Sequence, residues 1–141
     1  MRRQLVIGDE IPEVVVPVSR ADLLRYADLS GDHNPIHQDE AVAHAVGLPG
    51  VVAHGMFTMG VAGRVLVDYV GDVSAIVRYS TRFTRPVVVP ANDAVPNSAQ
   101  IHITGKVSEV DDSAQTATIS MTVTFNGQTV LGRTQATVRQ P

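Results

Sequence analysis

The sequence predicts an α+β fold in which a curved antiparallel sheet wraps one long apolar helix, all within a single domain over residues 1–141. Three features carry this expectation. Helix signals crowd the first half of the chain, and alternating apolar and polar residues fill the second. Between them, GMFTMGVAGRVLVDYV, residues 55–70, is apolar around most of its girth. A helix with so little wet face needs other structure around it. Helices followed by strands, not alternating with them, give the α+β class.

The first helix is expected to open at Ser19, where Asp22 three residues on forms a capping-box pattern with a carboxylate in place of the usual Glu or Gln. Leu23, Leu24, Ala27 and Tyr26 give an apolar stripe at helical spacing, and Gly31 suits the terminus. DEAVAHAVG, residues 39–47, reads as a short second helix, with Asp39 as its cap, acids at its positive end and Gly47 at its close. The apolar segment 55–70 is the third helix, ended by Gly71.

Strands follow. IVRYSTRF places Val77, Tyr79 and Phe83 on one side and Arg78 and Arg82 on the other. In QIHITGKVSEV, Ile101, Ile103 and Val107 alternate with His102, Thr104 and Lys106. TATISMTVTF sets Ala117, Ile119, Met121, Val123 and Phe125 against Ser and Thr, a half-buried antiparallel strand. Asn126-Gly127 is a type I′ hairpin signal, and the return strand puts Val130, Thr134, Ala136 and Val138 on one parity. Strands joined by turns alone imply a meander.

Composition narrows the function. Apolar residues make up 44% of the chain and charged ones 18%, which excludes a disordered polyelectrolyte. The net charge of -3 leaves no basic footprint for nucleic acid. Without cysteine there is no disulfide framework, thiolate nucleophile or Cys-based metal site, as fits a cytoplasmic protein. No secretory signal is expected at MRRQLVIGDE. Residues 41–63 lack Asp, Glu, Lys and Arg, but two histidines, Pro49 and five glycines favour a loop plus a buried helix over a membrane span.

The loop GDHNPIHQDE, residues 31–40, gathers groups that titrate or orient. Pro35 stiffens the turn between Asp32 and His37. A carboxylate beside an imidazole can hold and deprotonate water and can give or take a proton at carbon, which suits addition of water to a double bond. Asp-x-Asn-Pro is also sound turn chemistry, and spacing does not decide between the two. In VVAHGM, residues 51–56, Gly55 stands where the third helix begins. Its open amides and the helix dipole would favour a developing enolate oxygen; a plain tight turn is the alternative.

These two motifs, D-H-N-P-I-H-Q-D and A-H-G-M, resemble those of the MaoC-like, (R)-specific enoyl-thioester hydratase/dehydratase family. The resemblance covers essentially the whole chain and implies a hot-dog fold, a long helix wrapped by an antiparallel sheet. VIGDEIP, the segment 69–90 and GRTQATV look most like the catalytic B subunit of actinobacterial (3R)-hydroxyacyl-ACP dehydratase. The resemblance implies Asp32 and His37 as the catalytic pair, Asn34 as a residue ordering the loop, and the Gly55 N–H as donor to the thioester oxygen. Which of the pair acts on water and which on the α-carbon stays open. Some relatives carry a serine on the central helix that supports the aspartate; here Gly60 and Gly63 occupy that stretch, leaving room for an acyl chain or allowing close helix–sheet packing.

No metal or redox cofactor is implied; coenzyme A or phosphopantetheine arrives with the acyl substrate. Arg78, Arg82 and Arg85 could contact its phosphates or an acidic carrier protein, or simply form a solvated face. His54 flanks the oxyanion position in a structural role; His33, His44 and His102 point to solvent or elsewhere. No His/Asp/Glu grouping has metal-ligand spacing. The expected assembly is a homodimer, or a heterodimer with a related hot-dog subunit, without membrane or nucleic acid. A hot-dog thioesterase and a non-catalytic acyl-thioester-binding subunit are the rival readings.

Overall fold

A computed structural model describes residues 1–91 and 99–141. Strand β1 (Glu10–Val18) leads into helix α1 (Arg20–Ser30), then α2 (Glu40–Ala45) and the long α3 (Gly55–Val70). Strands β2 (Ile76–Phe83), β3 (Ala99–Asp111), β4 (Thr116–Phe125) and β5 (Gln128–Arg139) follow. All five strands form one antiparallel sheet in the order β1-β3-β4-β5-β2.

The helix ends obey their local chemistry. Ser19 and Asp22 form the capping box of α1, and Gly31 closes it at φ 78°. Asp39 caps α2, accepting from the Ala41 and Val42 amides, and Gly71 ends α3 at φ 78°. Leu23 and Ala27 face the core and Tyr26 is half-buried, whereas Leu24, placed on the same stripe by its spacing, is exposed.

The alternating strands behave as expected. Ile101, Ile103, Val107, Ala117, Ile119, Val123, Ala136 and Val138 are buried, and they pack with Ala62, Val65, Leu66 and Val70 of α3. Asn126 and Gly127 have φ of 51° and 72°, as a type I′ turn requires. This is the hot-dog arrangement, and the α+β class holds. The wrapping is one-sided: Met56, Gly60, Arg64 and Asp68 leave the opposite face of α3 exposed in the single chain.

Three expectations are corrected. β1 carries no sequence signal of its own, because EIPEVVVPV lacks alternation and contains Pro12 and Pro17. As an edge strand paired with β3 alone among the described residues, it can hold prolines that donate no hydrogen bond. The meander is confined to β3-β4-β5, since β2 crosses to the far edge to pair with β5. Nor does β2 keep its parity. Register shifts between Ile76 and Arg78 and between Ser80 and Arg82 turn the strand, so Val77 and Phe83 are 48% and 55% exposed.

Among the described residues, no helix is long and apolar enough to cross a membrane.

Candidate active site

The site forms where the loop after α1 meets the start of α3. Asp32 begins an exposed turn: its Oδ1 accepts the Asn34 amide at 3.1 Å. Asn34 Oδ1 in turn accepts the Ile36 amide at 3.2 Å, starting a 3-10 turn over Pro35–His37 with proline in its first positions. Each short polar side chain thus satisfies the backbone two residues on, which braces the loop locally. The turn carries His37 inward, where it is 8% exposed.

His37 Nδ1 lies 2.6 Å from the Val52 carbonyl oxygen. A carbonyl can only accept, so Nδ1 carries the hydrogen and Nε2 presents a lone pair. Burial pulls the His37 pKa below the ordinary 6.5; the Val52 bond opposes this, His54 adds to the lowering, and the Asp32 charge opposes it. The imidazole is therefore held as a neutral base.

Three groups meet here. A carboxylate oxygen of Asp32 and a ring nitrogen from each of His37 and His54 lie within 4.8 Å of one another. Sequence spacing gave no hint of this triple, because His54 arrives from a different segment. It does not suit a zinc-type ion. The imidazoles stack at 3.7 Å with only 21° between planes, so their in-plane lone pairs cannot converge on one ion at about 2 Å.

Gly55 is the first residue of α3, and among the described residues that helix has no side-chain cap. Its opening amides lack intrahelical partners, and the dipole adds positive potential there. A cleft of about 170 Å³ opens at this point, lined by Gly55, Thr58, Phe83, Arg85, Val87 and Leu131 among others. Asp32 and His37 do not line it; His54, next to Gly55, links the two regions. A Cβ on Gly55 would meet Phe83 ring carbons at 2.9 Å, so this position is closely approached.

The arginines separate. Arg85 lines the cleft and donates to the Thr129 carbonyl at 3.2 Å, while Arg78 and Arg82 are exposed on β2 and do not line it. The glycines of α3 separate too. A Cβ at Gly63 would sit 3.1 Å from the Tyr79 ring, a close-packing position, whereas Gly60 faces open space. Burial raises the Tyr79 hydroxyl to about 12, and it donates to the Met59 carbonyl at 2.7 Å. His33, His44 and His102 lie near Asp28, Glu40 and Glu13, with at least 40% of each side chain exposed.

Comparison with known proteins places the chain among its relatives. The MaoC like domain pattern matches residues 5–129. The chain is 33% identical over 125 residues to the (R)-specific enoyl-CoA hydratase of Rhodospirillum rubrum, covering 88% of this chain and 81% of that one. It is 45% identical over 80 residues to 3-hydroxyacyl-thioester dehydratase X of Mycobacterium tuberculosis, 57% of this chain but 28% of that protein's length. A solved MaoC-like dehydratase superposes with a TM-score of 0.91 at 37% identity, covering 97% of this chain and 41% of the other. With the pattern spanning most of its length, the chain belongs to the MaoC-like domain family.

Proposed function

We propose that the chain catalyses reversible hydration of trans-2-enoyl thioesters, or dehydration of their (3R)-hydroxyacyl counterparts. The observation that carries this is the neutral His37, its Nε2 free, within 4.8 Å of the Asp32 carboxylate beside the uncapped start of α3.

In the dehydration direction, His37 Nε2 takes the α-proton and the electron pair moves onto the thioester oxygen. The Gly55 amide stabilises that enolate. Collapse of the enolate expels the β-hydroxyl as water, with the proton returned from the imidazolium. Asp32, anionic and close by, offsets the transient positive charge and accepts a hydrogen bond from the hydroxyl or from the attacking water in reverse. No redox step occurs and no metal or redox cofactor is needed. Coenzyme A or a carrier-protein phosphopantetheine is the thioester's handle, and Arg85, which lines the cleft, supports contact with its phosphate.

The narrower reading is a catalytic subunit of the (3R)-hydroxyacyl-ACP dehydratase kind, acting in fatty-acid metabolism in the cytoplasm. It would pair with a second copy or with a related hot-dog subunit. The open face of α3 and the exposed Val77 and Phe83 of the β2 edge support such pairing.

Crotonyl-CoA tests the reaction. The protein, alone or with a partner subunit, should lower the enoyl-thioester absorbance to an equilibrium level without releasing free thiol. Thiol release would establish a thioesterase instead, and no change at any chain length would leave a binding subunit.

The pH profile follows from His37. Because its pKa lies below 6.5, kcat/KM for dehydration should hold at neutral pH and fall only on acidification below that value. An acid limb above 6.5 would contradict a buried neutral imidazole. Stability has the same sign. Below pH 6.5 the unfolded chain takes up a proton that folded His37 resists, so stability from this residue is lost as pH falls through its folded pKa.

A further inference from the structure

We propose that His54 is the positioning residue of this site, holding the Asp32 backbone and the His37 ring in register and tying both to Gly55. This rests on the hydratase reading above and adds a residue to it.

His54 is 2% exposed and stands immediately before Gly55 as the N-cap of α3. Helix caps are ordinarily Ser, Thr, Asp or Asn, whose side chains bond the first-turn amides. His54 makes no such bond. Its ring turns instead to the loop, where Nε2 lies 3.0 Å from the Asp32 carbonyl oxygen. Because that oxygen only accepts, Nε2 carries the hydrogen, and the loop it holds sets its tautomer.

The same ring lies flat on His37, 3.7 Å between centroids. Tyr26 of α1 supports it edge-on at 4.7 Å, and Phe57 of α3 backs Tyr26 at 5.5 Å. One side chain therefore fixes the carboxylate-bearing backbone, the plane of the base and the residue that offers the oxyanion amide. Filling space does not explain it. His54 Nδ1 is buried with no hydrogen-bond partner among the described residues, a desolvation cost that an apolar ring would avoid. What a polar ring adds is the Nε2–H bond to Asp32.

Three variants separate the contributions: His54→Ala, His54→Phe, which keeps a flat ring without an N–H, and His54→Gln, which keeps an N–H at similar reach without a ring. In crotonyl-CoA hydration, His54→Ala should lower kcat by on the order of 10- to 100-fold with KM changed less than about threefold, as misplacement of reacting groups does. His54→Gln should recover part of that loss and His54→Phe less. The acid limb of the pH profile should move up toward 6.5 in His54→Ala as water reaches His37, since burial and His54 both lower the His37 pKa while Asp32 raises it.

A histidine-selective 15N–1H spectrum gives a readout free of turnover. It should show His54 as the Nε2–H tautomer, with the His37 ring signals displaced in folded His54→Ala. A folded His54→Ala with kcat within about twofold of wild type, or an Nδ1–H tautomer, overturns the proposal. If the wild-type protein hydrates no enoyl thioester, the hydratase reading falls, and the spectrum still decides whether His54 holds the loop.

Discussion

Asp32→Asn and His37→Asn should each lower crotonyl-CoA hydration by on the order of 10²–10⁴-fold while leaving the fold intact. The substitutions are chosen for what they keep. Asparagine at 32 retains an Oδ1 to accept the Asn34 amide, a bond now 3.1 Å long, and loses only the charge. Asparagine at 37 can still donate toward the Val52 carbonyl, but it has nothing in place of the Nε2 lone pair. His37→Ala removes both and should cost at least as much, with added instability from a buried carbonyl left without its donor. The two residues serve one step, His37 moving the proton and Asp32 offsetting the charge that results, so the double variant should be little worse than the poorer single one. Steady-state kinetics with matched thermal unfolding checks all four. Asparagine at 37 retaining more than about a tenth of wild-type kcat/KM would remove His37 from proton transfer, and asparagine at 32 doing so would remove the Asp32 charge from the catalytic step.

Removing the Gly55 N–H should cost on the order of 10²–10³-fold in kcat, the loss expected for one oxyanion donor. Proline does this with little other damage. Gly55 is the first helical residue of α3, where proline's fixed φ fits and its missing hydrogen has no intrahelical partner. The preceding residue, His54, already has φ −58° and ψ 134°, the extended region that a following proline demands. The obstacle is Phe83, whose ring carbons would lie 2.9 Å from a Cβ at residue 55. Phe83 is 55% exposed, so Phe83→Ala clears the space at small expense to the core. In that background, Gly55→Ala keeps the N–H and Gly55→Pro deletes it, and the ratio of their kcat values reports the hydrogen bond. A ratio near one would mean that the thioester oxygen is held elsewhere.

Much of the architecture was legible because local rules act locally. Ser19 with Asp22, Asp39, Gly31, Gly71 and Asn126-Gly127 each end or turn an element using atoms a few residues away. The alternation of β3 and β4 was legible because one face of each packs on α3 and the other does not. β1 and β2 were not. Both are edge strands, and edges tolerate prolines, register shifts and exposed Val77 and Phe83 because no second neighbour enforces the period.

The sequence by itself determined the fold class, the helix ends and the presence of a carboxylate and an imidazole on one stiff loop. Those follow from interactions within one element or one turn. Only the tertiary structure decided which nitrogen of His37 is free, since the deciding acceptor, Val52, lies 15 residues away. It alone brought His54 onto His37, divided Arg85 from Arg78 and Arg82, and gave Gly63 to Tyr79 while leaving Gly60 open. The physical reason is the same in each case. A tautomer, a stack or a cleft depends on distances between segments, and folding sets those distances by burying α3 against the sheet rather than by any spacing along the chain.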